Sequence, residues 1–261
     1  MVSIPERQTS KAASWSRRTA AFSAVLLLTN FVGHRFGLVQ TPVFLWVLGI
    51  VALLAALALL LAGLAFARLW NFGDRGGRDL TVGAVLALLV LTPYGVAAYW
   101  ATIYPPLRDI STDFDEPPAL DVGDRTKEMN VLSPPTPGEQ SLQTDSYPLV
   151  TARSYDLPFE TIVNAVETVL DRRGWDLSEP YPELAGQTEV TITAIASSFV
   201  LGLPADVAIR VMDDGDTVIV DMRSASRYGR HDLGDNAARI TDFLAELDQE
   251  VAGQVGAAPA E

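Results

Sequence analysis

The hydrophobic pattern divides the chain into two halves of different kind. Pro42 to Ala67 carries no charged residue over 26 positions. At ~1.5 Å per residue such a helix reaches roughly 39 Å, enough to cross a ~30 Å hydrocarbon core with some tilt. Leu80 to Ile103 is uncharged over 24 positions, and its internal Pro93 and Gly95 are tolerated in membrane helices. Thr19 to Gly33 is a shorter run of 15 uncharged residues, interrupted by His34-Arg35. It spans only by continuing toward Leu38, with Arg35 snorkelling to the interface. The pattern predicts three transmembrane helices, at about 19–39, 42–67 and 80–103. A cleaved signal competes for the first, with Arg17-Arg18 as its basic region, but no small-x-small site follows Phe31 and further apolar segments do.

Past Ile103 the pattern changes. Residues 105–146 are rich in Pro, Asp, Ser and Thr and read as a juxtamembrane segment and linker, with Pro134-Pro135-Thr136-Pro137-Gly138 as the clearest signal. Residues 147–253 then alternate between strand and helix periods. Leu149 to Ala152 reads as a strand. After Pro158, residues Phe159, Val163, Val166 and Leu170 recur at helical spacing, and Gly174 is placed for a left-handed cap. Trp175-Asp176-Leu177 starts a strand, and Val190, Ile192, Ala194 and Ala196 share one face of another. Asp206–Met212 and Thr217–Arg223 form a hairpin about Asp213-Asp214-Gly215-Asp216. With Met212 opposite Thr217, the apolar residues share one face, Asp206 lies opposite Arg223, and Arg210 is diagonal to Asp221. A last helix, capped by Asp232, steps through Leu233, Ala237, Ile240, Leu244, Leu247 and Val251. Residues 254–261 read as a disordered tail. The fold class is α+β: three membrane helices followed by a two-layer sandwich of an antiparallel sheet packed on two helices.

Charge sharpens the division. Of the net −13 over 261 residues, residues 1–103 hold 8 Lys/Arg against 3 Asp/Glu, and residues 104–261 hold 11 against 29. The strongly acidic second half argues against nucleic-acid binding. Lys/Arg counts in the flanks and loops alternate 4, 1, 3, 1, which places the N-terminus and the 68–79 loop in the cytoplasm and the C-terminal domain outside. No Asp, Glu or Lys lies in the second or third span, which argues against a transport pathway. The absence of cysteine removes disulfides and thiolate chemistry, and two histidines make no zinc cluster. No cofactor motif is present.

Arg223, Arg227 and Arg230 fall within eight residues of an otherwise acidic domain, in the loop leading to the last helix. Guanidinium forks and free N–H groups at a helix start suit an oxyanion. With Ser224, Ser226, Asn236 and Arg239 they make a candidate site for a lipid headgroup, a small anion or a partner's acid. The competing reading is an internal polar network of Asp109, Asp113, Asp206, Arg210, Asp221 and Asp232, in which Asp109 and Asp113 reach back to the arginine loop. A catalytic triad of Ser224 or Ser226 with His231 and Asp232 lacks the G-x-S-x-G elbow.

Three segments resemble one family. Arg108-Asp109-Ile110-Ser111-Thr112-Asp113 with Glu116-Pro117-Pro118, then Asp206 to Val211, then Asp221 to Arg230 running into Asp232 to Ile240, are similar to the family called domain of unknown function 1499. The resemblance covers about residues 105–250. Ala205 departs from the acid that often precedes the middle motif, and His231 from a small residue. The resemblance implies a domain identity and no activity. The expectation is an inner-membrane protein of a Gram-negative bacterium. Its periplasmic domain is expected to be a binding or assembly module for membrane lipids, an anionic ligand or an envelope protein, more in keeping with a binder than an enzyme. The alternatives are an envelope hydrolase using Ser, His and Asp on the same face, and a purely structural anchor. Oligomeric state is not encoded legibly.

Overall fold

The computed structural model describes residues 8–121, 123, 125–198 and 201–257. It forms two compact units, Met1–Trp100 and Ala101–Glu261.

The first unit is helical: α1 (Lys11–Arg35), α2 (Thr41–Phe72) and α3, which runs Gly77–Ile103 and so ends just past the unit. Ser10 caps α1, its hydroxyl accepting from the Ala13 N–H. Glycine 73 closes α2 in a left-handed cap at φ 67°. Helices α1 and α2 pair antiparallel through a polar ladder at heptad spacing. Ser16 Oγ donates to Ala58 O at 2.9 Å, Ser23 Oγ to Val51 O at 3.2 Å, and Asn30 Nδ2 to Phe44 O at 3.1 Å. Each carbonyl uses its second lone pair for this bond. Most of the residues buried between the helices are small or polar, Ala13, Ser16, Ala20, Ser23 and Asn30 of α1 and Ala55, Ala58, Ala62 and Ala65 of α2, with Phe44 and Val51 of α2 as the bulky exceptions. Most of the large apolar residues point outward, among them Phe22, Leu28, Trp46, Leu53, Leu60 and Trp70.

Among the described residues two helices, not three, are long and apolar enough to cross a membrane, α2 and α3. The first expected span is corrected in extent as well. Its helix begins at Lys11 and stops at Arg35, where Gly37 turns the chain at φ 70°. Basic residues in its first turns and the Ser/Asn stripe on its inner face lower its hydropathy.

The second unit is an antiparallel sheet with helices on one face. Its strands are β1 (Asp109–Ser111), β2 (Arg153–Tyr155), β3 (Asp176–Leu177), β4 (Glu189–Ser197), β5 (Pro204–Asp213) and β6 (Val218–Ser226). Their order is β1-β6-β5-β4-β3, with β2 also pairing β6 further along its edge. Helices α5 (Phe159–Arg173) and α6 (Asp235–Ala257) cover one face. There Ile162, Val166, Leu170, Ile240, Phe243, Leu244 and Leu247 bury Ile110, Ile192, Val207, Ile209, Val220 and Met222 of the sheet. The opposite face packs Ala208 and Ala225 under Leu120, with Leu132 and Ile195 at the rim.

Residues 105–146 therefore contribute more than a linker. They supply the edge strand β1, the cover over the second face, and α4 (Pro137–Ser146), which opens on a capping box between Thr136 and Glu139. The strand expected at 149–152 lies instead at 153–155. Residues 147–150 close a tight turn, Val150 N–H to Tyr147 O at 3.0 Å, and leave Leu149 exposed. The β5–β6 register differs by two residues from the sequence expectation: Asp213 pairs Val218, so Arg210 faces Asp221 directly and Asp206 faces Ala225. The Asp214 carboxylate accepts from the Asp216 and Thr217 N–H groups, drawing Thr217 into the turn. An even shift leaves every residue on its expected face. Asp232 is not the residue next to α6. Leu233 and Gly234 have φ of 57° and 84°, so the helix starts at Asp235, while the Asp232 carboxylate accepts from the Gly234 and Asn236 N–H groups. The helix continues to Ala257, past the expected end at Gly253, and residues 258–261 of the expected tail lie outside the described residues.

Candidate functional site

The period-two alternation of β6 divides the expected constellation between the two faces of the sheet. Ser224 and Ser226 lie on the helix side. Arg223 and Arg227 point to the opposite side.

On the helix side, Ser224 Oγ donates to Asn236 Oδ1 at 2.8 Å and accepts from Arg239 Nη1 at 2.9 Å. Arg239 also donates to Asn236 Oδ1 at 2.7 Å and to the Asp235 carboxylate one helical turn earlier. Asn236 Nδ2 reaches Ser226 Oγ at 2.9 Å and Arg108 O at 3.0 Å. This cluster staples α6 to β6 and to the chain entering β1. Burial pushes the Asp232 carboxyl up, against the Gly234 and Asn236 N–H groups that oppose the shift.

On the far side three guanidinium–carboxylate groups line the sheet. Arg223 makes a bidentate pair with Asp109, at 2.9 and 2.7 Å, and its Nη1 reaches Pro118 O. Arg210 joins Asp113 at 2.8 Å and Asp221 at 2.9 Å, and Asp221 accepts from Thr112 Oγ1 at 2.9 Å. Burial raises the Asp113 carboxyl, but the Glu116 N–H, Arg210 and the Asp115 N–H outweigh it and hold it below the ordinary value. Asp206, 0% exposed, accepts from Arg227 Nε at 2.6 Å and from Arg125. Arg125 Nη2 bonds Asn130 O, and the Asn130 side chain donates to Ser226 O and Gly229 O at 2.8 and 2.7 Å. Asp109, Thr112, Asp113, Pro118, Arg125 and Asn130 thus rivet their part of the chain to β5, β6 and the following loop.

All six acids and bases of the expected internal network, Asp109, Asp113, Asp206, Arg210, Asp221 and Asp232, are engaged in hydrogen bonds within the domain. Of the expected anion-site arginines, Arg223, Arg227 and Arg239 are held by carboxylates of their own domain. Arg230 is exposed, and its side chain has no hydrogen bond or ion pair among the described residues. Sequence reasoning missed Arg125, Asn130 and Thr112. Thr112 lay in a quoted motif; Arg125 and Asn130 sit in polar sequence with no periodicity to mark them.

The Ser, His and Asp side chains do not form a triad. His231 Nδ1 accepts from the Leu233 N–H at 3.0 Å, which puts the ring proton on Nε2, 3.1 Å from Tyr104 O. Both ring nitrogens serve the backbone, and the two serine hydroxyls face Asn236 and Arg239.

The sequence model of one family, described as a protein of unknown function (DUF1499), matches residues 109–247, more than half of the chain. The chain belongs to the DUF1499 family. The matched region opens at β1 and closes within α6, so the Asp109–Arg223 clamp lies inside the DUF1499 domain and the helical unit outside it. No curated protein matches the chain.

Proposed function

We propose that the chain is an inner-membrane protein of a Gram-negative bacterium that holds an acidic DUF1499 domain on the periplasmic side as a binding or assembly module. The observation that carries the membrane reading is the packing of the helical unit: mostly small and polar residues between helices, Phe44 and Val51 apart, and most large apolar residues outside. That order suits a lipid surround, where close backbone approach and interhelical hydrogen bonds drive association. It also supports embedding α1 as a third span. Phe22, Val25, Leu28 and Val32 form an exposed apolar face, and Ser16, Ser23 and Asn30, which lower its hydropathy, are satisfied by α2 carbonyls. The loop charges support a cytoplasmic N-terminus.

The internal pairing of Arg223, Arg227 and Arg239 favours binding through the domain's outer surface over capture of an anion among these arginines. Arg230, beside the Asn130 clamp, is the arginine available to an acidic group on an envelope partner. A reporter active only outside the cytoplasm, fused after Glu261, tests the arrangement: activity is expected, and a signal confined to the cytosol overturns it. Arg230→Glu in the same fusion is expected to leave export and folding intact while weakening recovery of partners cross-linked to the loop.

A further inference from the structure

We infer that the end of the helical unit formed by the start of α1 and the α2–α3 loop is a binding surface for anionic phospholipid headgroups. This rests on the membrane reading above and gives it a lipid chemistry. The end is built rather than loose. The Ser10 N–H donates to Arg75 O and the Arg75 N–H to Gln8 O, both at 2.9 Å, joining residues 8–10 to the loop as a short bridge. Gly76, at φ 141°, packs against Ala13 and Ser10, where an added Cβ would meet the Ala13 methyl at 3.1 Å. Arg17 reaches across to Asp79 at 2.8 Å.

Among the described residues this scaffold gathers Lys11, Arg17, Arg18, Arg68, Arg75 and Arg78 against two acids, Asp74 and Asp79. Asp79 is taken by Arg17, and Arg18 lies over the Trp15 ring at 5.7 Å. Lys11, Arg68, Arg75 and Arg78 are exposed and have no side-chain partner among the described residues. The other end of the α1–α2 pair carries Arg35 alone. Trp15, Phe66, Trp70 and Phe72 are exposed beside the cations. Exposed cations at the end of helices whose flanks carry exposed apolar and tryptophan side chains match the boundary where phosphates meet acyl chains. A soluble acidic partner would match the charge and leave the aromatic wall uncovered.

The test places the full-length protein in nanodiscs, where both leaflets are accessible and orientation plays no part. The discs hold a mixture of phosphatidylglycerol and phosphatidylcholine, and native mass spectrometry counts the lipids that remain bound. Each cation near an anionic surface contributes about a fivefold preference at low salt, so phosphatidylglycerol is expected to be retained at least about fivefold over its share. The excess is expected to shrink at high salt and to vanish in the variant K11Q/R68Q/R75Q/R78Q. R35Q is expected to keep it. Retention in proportion to the mixture, or an excess that survives the fourfold variant, overturns the inference. Alkaline carbonate extraction of wild type and variant separates the two readings: release of the wild-type protein sinks the membrane reading itself, whereas a pellet without lipid preference sinks only this surface.

Discussion

Asp206→Asn tests whether the far-side network holds the domain together. The Asp206 side chain has no solvent exposure, and its partners Arg227 and Arg125 keep 12% and 25% of theirs. The amide keeps one acceptor but turns an N–H₂ group toward a guanidinium and removes the negative charge that faces two cations. Breaking one side of a buried ion pair costs roughly 3–5 kcal/mol. Arg125 is partly exposed and can turn to water, so the lower end applies, about 3 kcal/mol. Hydrogen exchange of the full-length protein in detergent reads this locally. Slow amides of β5 and β6 are expected to lose roughly a hundredfold in protection. Glu250→Gln, which breaks the Arg172–Glu250 pair on the surface, is expected to cost less than ~1 kcal/mol. Adding Arg227→Met to Asp206→Asn is expected to recover part of the loss, because that guanidinium no longer faces the introduced amide. Equal protection in Asp206→Asn and Glu250→Gln would refute the reasoning.

Three further outcomes follow from the same geometry. The lowered Asp113 carboxyl contributes stability above the unfolded carboxylate value of about 4, and that contribution is lost as pH falls through the lower folded value; the acid limb of a melting-temperature profile is expected to flatten in Asp113→Asn. Gly234 sits at φ 84°, and a Cβ there would lie 2.7 Å from the Tyr104 ring; Gly234→Ala is expected to destabilise the domain by about 1–3 kcal/mol, and adding Tyr104→Ala should return only the steric part, as followed by exchange in β6. Ser16→Ala, Ser23→Ala and Asn30→Ala each remove one bond from α1 to α2 and are expected to cost about 0.6 kcal/mol apiece, read as a stepwise fall in the detergent melting temperature that leaves domain exchange unchanged.

Periodicity carried most of the sheet and its helices. Val190, Ile192, Ala194 and Ala196 alternate, and Ala237, Ile240, Leu244 and Leu247 step by helical turns, because one face of each element must leave water. The faces of β5 and β6 were legible for the same reason, and the pair-by-pair register was not, since an even slip keeps all faces and is decided by the Asp214 turn. Local sequence also set the Gly174 cap and the charge division between the halves. It did not reveal that residues 105–146 complete the domain, because three-residue strands and a covering segment have no period to detect. Nor did proximity along the chain predict site membership: Arg223 and Ser224 are neighbours in sequence and lie on opposite faces of the sheet. Hydropathy averaged α1 into ambiguity, and only the packing showed its polar residues facing α2 carbonyls. The sequence by itself determined which faces are buried and where charge accumulates, since both follow from transfer between water and an apolar phase. The tertiary structure decided which charges meet, since that depends on a few ångströms across strands far apart in the chain.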